Sequence, residues 1–174
     1  MKMPNRKIEK CSGKNVRRYY LNQPYLDIEE SAVISTNGHI MAVCPVELDE
    51  GDTTGPITAE SIKAAIKASP VKAIRDKTAN IKANGSLQLD NGQSFPREEL
   101  TQKWVDYKRV IPDTDKTEMV ISLDAKLLKD LADSINTPGT SVIKIRIIDN
   151  NTAFYVESDD KSECYGVIMP CRVK

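Results

Sequence analysis

A supersecondary pattern recurs along this chain of 174 residues, and it limits the fold more than any other feature. The pattern is a short strand, a helix, then three antiparallel strands. It is clearest over 56–96 and again over 118–170, and the first 46 residues resemble the same unit with its helix missing or much reduced. A repeated unit of this size fixes the architecture before any function is considered. Each copy has one sheet and one helix, the helix covering one sheet face, and neighbouring sheets can join edge to edge. The expected fold class is α+β, with mostly antiparallel sheets.

The elements follow from local signals. Residues 17–28 read as a strand with an irregularity at Pro24. Residues 32–36 and 39–46 are apolar or β-branched runs separated by Asn37-Gly38, a tight-hairpin signal because both central positions then take positive φ. The acidic loop 47–55 reads as solvated. Thr58 caps a helix whose apolar face is Ala59, Ile62 and Ile66, and which Pro70 stops. Strands follow near 79–84, 86–90 and 93–96, with turns at Asn84-Gly85 and Asn91-Gly92. Ser122 caps a second helix, 123–135, with Leu127, Leu128, Leu131 and Ile135 as its buried stripe. Residues 141–148, 152–157 and 163–169 complete a meander.

Composition removes whole classes of function. Lys+Arg and Asp+Glu each number 25, so no global basic field exists to hold nucleic acid, and any such role needs local asymmetry. The four cysteines, Cys11, Cys44, Cys164 and Cys171, form no C-x-x-C pair and read as reduced structural thiols of a cytoplasmic protein. The polar N-terminal stretch has no signal-peptide core, and no run is long enough to span a bilayer. With one histidine, no phosphate-binding glycine loop and no paired nucleophile and base, catalysis is not expected, and neither is a metal or cofactor. His39 and Cys44 are read as facing opposite sides of one strand. Trp104 and the two phenylalanines are isolated and supply no stacking platform for single strands.

The last residues, Gly166-Val167-Ile168-Met169-Pro170-Cys171-Arg172-Val173-Lys174, are apolar where a chain end is usually polar, so they are expected to dock. Four segments resemble the bacterial DNA sliding clamp, the beta subunit of the replicative polymerase. Val16–Asn22 looks like the opening strand of the clamp's middle domain. Thr36-Asn37-Gly38-His39-Ile40-Met41-Ala42-Val43 is similar to its T-D-G-H-R-L-A-V hairpin. Val105–Pro112 is similar to the F-P-D-Y-x-R-V-L-P connector, and Val167–Val173 to the terminal V-V-M-P-M-R-L. Asn37 stands for Asp, Ile40 for Arg and Cys171 for Met. The resemblance covers roughly 16–174, with the clamp's first domain and the first half of its last domain absent. It implies a DNA-clamp fold in two parts, 1–108 like the middle domain and 109–174 like the second half of the last.

What the resemblance implies for function is a non-catalytic replication or repair accessory factor. It would bind short linear motifs of DNA polymerase or other replication proteins in an apolar groove, and encircle duplex DNA as a homo-oligomer. The groove would use Leu21, Thr36, Gly38, His39, Met41, Pro112, Val167, Ile168, Met169, Pro170 and Arg172. Methionine and aliphatic side chains make a wall that adapts to several peptides. DNA-facing helices would present Lys63, Lys67, Lys72, Arg75, Lys126 and Lys129. The competing readings are a groove-bearing adaptor or decoy that forms no ring, and a fold relative with neither activity.

Overall fold

The structure, a computed structural model, describes residues 1–14, 19–71, 77–100, 103–116, 119–159 and 164–171. It divides into two compact units, Met1–Asp106 and Tyr107–Lys174. The strands are β1 (Lys2–Pro4), β2 (Tyr25–Asp27), β3 (Ala32–Thr36), β4 (Met41–Pro45), β5 (Gly55–Pro56), β6 (Thr78–Asn84), β7 (Ser86–Leu89), β8 (Ser94–Pro96), β9 (Ile143–Arg146), β10 (Phe154–Ser158) and β11 (Tyr165–Ile168). Among the described residues the α-helices are α1 (Ala59–Ala68) and α2 (Ala125–Ile135).

The first unit holds two four-stranded antiparallel sheets, ordered β1-β6-β7-β8 and β4-β3-β2-β5. They are two copies of the repeat with their first strands exchanged. β1 opens the first copy but pairs with β6 of the second, Lys2 opposite Asn80 and Pro4 opposite Thr78. β5 opens the second copy but pairs with β2 of the first, Tyr25 opposite Pro56. The helix reduced in the first copy is one 3-10 turn, Ile8–Cys11, lying on β3 and β4, while α1 lies on β6 and β7. A two-sided bridge joins the sheets: Lys2 N donates to Glu47 O at 2.7 Å and Glu47 N to Lys2 O at 3.0 Å. Leu26, Val33 and Cys44 from one sheet meet Ala79, Ile81 and Leu87 from the other in a shared core with Ile62, Ala65 and Ile8.

The N-terminal residues, read from sequence as a polar end, are instead a core strand: Met1 and Met3 are wholly buried. The adjoining acidic loop is not merely solvated. The Met1 amine donates to Ile81 O at 2.7 Å and lies 2.7 Å from an Asp49 oxygen and 2.6 Å from Asp52 Oδ2. Burial alone would raise the Asp52 carboxyl; hydrogen bonds from the amine and from the Ala83 and Asp49 amides outweigh it and hold it below the usual carboxylate value. The expected strand 17–28 shrinks to β2, with a 3-10 turn at Tyr19–Leu21; residues 15–18 lie outside the described residues.

The second unit is one repeat. Its sheet runs β11-β10-β9, all antiparallel, and α2 lies on β10 and β11. Phe154, Val156, Ile168 and Ile135 form its core. Gly166 lets the helix close on β11, since a Cβ there would stand 2.4 Å from Leu131 Cδ1. The cap of α2 is Asp124, not Ser122: its carboxylate accepts from the Lys126 and Leu127 amides. Leu127, expected in the buried stripe, is 57% exposed, and Ile135 alone of that stripe is fully buried. The expected strand 141–148 stops at Arg146, leaving Ile147 and Ile148 exposed.

Candidate partner-binding site

The hairpin that carries Thr36, Gly38, His39 and Met41 is built from its own side chains. Thr36 pairs with Met41, so the connection is a four-residue loop rather than a two-residue turn. Only Gly38 takes positive φ, +91°; Asn37 does not, because its carboxamide oxygen accepts from the His39 and Ile40 amides at 2.9 and 3.0 Å. The buried Thr36 hydroxyl accepts from Gly38 N at 3.0 Å and donates to Ile40 O at 2.7 Å. The loop is thereby held with Gly38 and His39 exposed and Met41 half-buried at the start of β4. Nothing lies within 4 Å of where a Gly38 side chain would begin, so its backbone is open to an approaching chain. His39 lies in this loop rather than in the strand with Cys44. Cys44 is buried, and desolvation pushes its thiol up, away from the thiolate a nucleophile needs.

Leu21 is buried at 3% exposure, and Gly13 N donates to its carbonyl at 2.8 Å. The turn that places it is fastened by Trp104, whose indole N–H donates to Tyr20 O at 3.0 Å while its ring stacks on Tyr25, centroids 4.6 Å apart. Trp104 is therefore not isolated. Beside it a cleft of about 500 Å³ is lined by Tyr25, Thr53, Arg97 and Trp104. No local pattern in the sequence marks Arg97. Its guanidinium donates to Pro56 O, Ala83 O, Thr53 O and Thr53 Oγ1 at 2.7–3.0 Å, tying β5 to the sheet of β6.

In the second unit the strand period sorts the tail residues. Ile168 is buried in the core, whereas Val167 and Met169 are 57% and 61% exposed. Pro170 is half-buried and Pro112 exposed. Cys171 N donates to Ser122 O at 2.8 Å and so fixes where the tail leaves β11. Arg172 lies outside the described residues. The solvent-facing apolar surface of this segment is therefore Val167 with Met169, and Ile168 holds it in place from beneath.

Of the basic candidates, Lys63 and Lys67 are exposed on α1, on the side away from buried Ile62 and Ala65. Lys126 is exposed on α2; Lys129, exposed beside it, is ion-paired to Asp133 one turn on, which halves the positive field of that helix face. Lys72 and Arg75 lie outside the described residues. No group of three or more His, Cys, Asp or Glu able to hold a metal occurs among the described residues. No described helix is long and apolar enough to cross a membrane.

No family model matches the chain, and no curated protein matches it. Solved structures do. The beta sliding clamp of C. crescentus, in a structure with polyethylene glycol bound at a putative beta-motif tethering region, matches 94% of this chain and 46% of its own at 16% identity and a TM-score of 0.67. The DNA polymerase sliding clamp of Pseudomonas aeruginosa matches 99% of this chain and 66% of its own at 15% identity and a TM-score of 0.54. A Pseudomonas aeruginosa sliding clamp (DNA polymerase III subunit beta) bound to griselimycin matches 96% and 62% at 16% identity and a TM-score of 0.55. At these identities the likeness is one of fold: the α+β DNA-clamp fold, in a chain that spans about half to two thirds of those clamps.

Proposed function

We propose that this chain is a non-catalytic, clamp-like accessory factor of DNA replication or repair. It binds short linear motifs of partner proteins, a DNA polymerase among them, and travels on duplex DNA as a homo-oligomer. The observation that carries this reading is the clamp fold extending over 94% of the chain. Partner-peptide contacts are assigned to Leu21, Thr36, Gly38, His39 and Met41 in the first unit, and to Pro112, Val167, Ile168, Met169, Pro170 and Arg172 in the second. Leu21, Thr36 and Ile168 are buried supports; Gly38, Met41, Val167 and Met169 offer the surface. Thioether and aliphatic side chains suit an adaptable peptide site, since they repack at little cost. Lys63, Lys67 and Lys126 supply modest positive charge for duplex DNA, with Lys72, Arg75 and Lys129 as further candidates. Weak phosphate contacts suit a protein that must slide.

Griselimycin, bound by a Pseudomonas aeruginosa clamp, is a usable probe. Fluorescence polarisation with labelled griselimycin or a clamp-binding peptide is expected to give saturable binding, weakened roughly tenfold or more by Met169→Asp. No binding by the native chain, or equal binding by Met169→Asp, overturns the groove. Reversing Lys63 and Lys67 to Glu should weaken duplex association and flatten its salt dependence. A second reading, a ring-less adaptor or decoy that competes for clamp partners, is favoured by the ion pair of Lys129 with Asp133, which takes one cation out of the proposed DNA-facing set. Peptide binding with no retention on circular duplex DNA would select it.

A further inference from the structure

We infer that the second unit is half of a two-repeat domain, and that a second copy of this chain completes it. Each copy lays the segment 119–122 along the free edge of the other's β9. The first unit supplies the rule. There, the strand ahead of each helix leaves its own repeat and pairs with the first meander strand of the other repeat, β1 on β6 and β5 on β2. The second unit contains α2 and the meander β9-β10-β11. Among the described residues β9 has β10 on one side and nothing on the other, and 119–122 belongs to no sheet.

The approach to the two helices is locally equivalent. Pro56 stands two residues before the Thr58 cap, and Ser122 two before the Asp124 cap. Pro56 O accepts from Arg97 Nε just past β8, and Ser122 O from Cys171 N just past β11. At this position in the first unit the chain has already crossed to the neighbouring sheet, where Ile57 N donates to Pro24 O at 2.8 Å. In the second unit the corresponding segment pairs with no sheet among the described residues: Met119 is 47% exposed and Val120 74%.

The receiving edge is equally defined. Val142 O accepts from Asp159 N, so by antiparallel alternation the N–H and C=O of Ile143 and Ile145 point away from β10. An unpaired edge with those groups exposed is a template for another strand. Lys144 and Arg146 do not bar it, being ion-paired to Asp159 and Glu157. Exposed Val142, next to β9, adds apolar surface at this edge, and Leu127 on α2 is a further apolar side chain that the second unit leaves uncovered. A second copy is the occupant that satisfies everything at once. It brings the same donor strand and the same open edge, so a two-fold arrangement pairs both donors and both edges and then stops growing. A foreign peptide would fill the edge and leave 119–122 stranded. This inference stands on the repeat alone and survives failure of the peptide-binding reading.

Sedimentation of the native chain at micromolar concentration should give a particle of twice the chain mass. Val120→Glu and Leu127→Glu, both at exposed positions, should shift it to the single-chain mass while Trp104 fluorescence, a reporter of the first unit, stays native. Amide exchange at Ile143 and Ile145 should be slow in the native chain and fast in both variants. A native chain of single mass throughout, as expected if another protein or further polypeptide covers this edge, overturns the inference. A multimer whose mass both variants leave unchanged overturns it too.

Discussion

The two units use one repeat and reach different ends. In the first, exchange of β1 and β5 stitches two copies together, and the core runs unbroken from Met1 and Met3 through Leu26 and Val33 to Ile81 and Leu87. In the second, a single copy buries Phe154, Val156, Ile168 and Ile135 and leaves Leu127, Val142 and Ile148 in water. The two helices show this most directly. α1 buries Ile62 and Ala65 in its middle; α2 buries only its last residue. A lone repeat has too little sheet to cover its helix, as surface-to-volume scaling requires of so short a segment. Stability is therefore set by whether a repeat has a partner, more than by its own residues.

The largest expected effect tests whether the units are energetically separate. Phe154 is fully buried at the centre of the smaller core, and Phe154→Ala should cost about 3–5 kcal/mol. That exceeds what a four-residue apolar core can spare, so amide protection in β10 should vanish. The single tryptophan, Trp104, lies in the first unit, stacked on Tyr25, and its urea transition should not move. A tryptophan midpoint that falls in step with β10 protection would show one cooperative structure and break the comparison.

Within the first unit the stitching is testable. Arg97→Ala removes the guanidinium that satisfies the Pro56, Ala83 and Thr53 carbonyls, and should cost about 3 kcal/mol in the Trp104 transition. Lys at this position should recover only part of it, since an ammonium cannot reproduce the planar fork. Asp52→Asn should cost about 2 kcal/mol at pH 7, because its carboxylate receives the Met1 amine and two backbone amides. The pH dependence carries a sign. Asp52 titrates below its ordinary value in the folded chain, so its contribution is complete above the unfolded carboxyl pKa. It is lost as pH falls through the folded one. The native chain should weaken into acid, and Asp52→Asn should flatten that loss.

Much of this was legible in the sequence, where local chemistry and periodicity agree. The α+β class, the repeat, α1 with its Thr58 cap, β3 at Ala32–Thr36 and the meander of the second unit all follow from turn residues and apolar spacing. What was hidden depends on long-range pairing. β1 is three residues whose burial comes from β6, and β5 is a Gly-Pro pair that only the partner strand β2 makes a strand. Arg97 and Trp104 act through carbonyls far along the chain, on Pro56 and Tyr20. Leu127 has the spacing of a core residue, but the surface it would pack against is absent from its unit. Of the proposed groove, the two strands flanking Asn37-Gly38 were readable; that they close through a four-residue loop, and that Leu21, Thr36 and Ile168 are buried supports while Val167 and Met169 face out, required the structure.

The smallest effects separate the units by mechanism, through one glycine in each. Gly38 has φ +91° and open space around it, so Gly38→Ala costs only backbone strain, about 1 kcal/mol, confined to the β3–β4 loop. Gly166 has no such φ; alanine there would gain slightly from a less flexible unfolded chain but would meet the Leu131 methyl at 2.4 Å. Leu131 is half-buried on a helix with water on its far side, so it should rotate away, and the net cost should again be about 1 kcal/mol. The readouts differ. Gly38→Ala should lower the Trp104 midpoint and leave β10 and β11 exchange unchanged, whereas Gly166→Ala should speed exchange in β11 and α2 alone. If Gly166→Ala instead leaves β11 protection untouched, α2 is packed too loosely to feel the intrusion. The second unit would then be weaker still than its four-residue apolar core suggests.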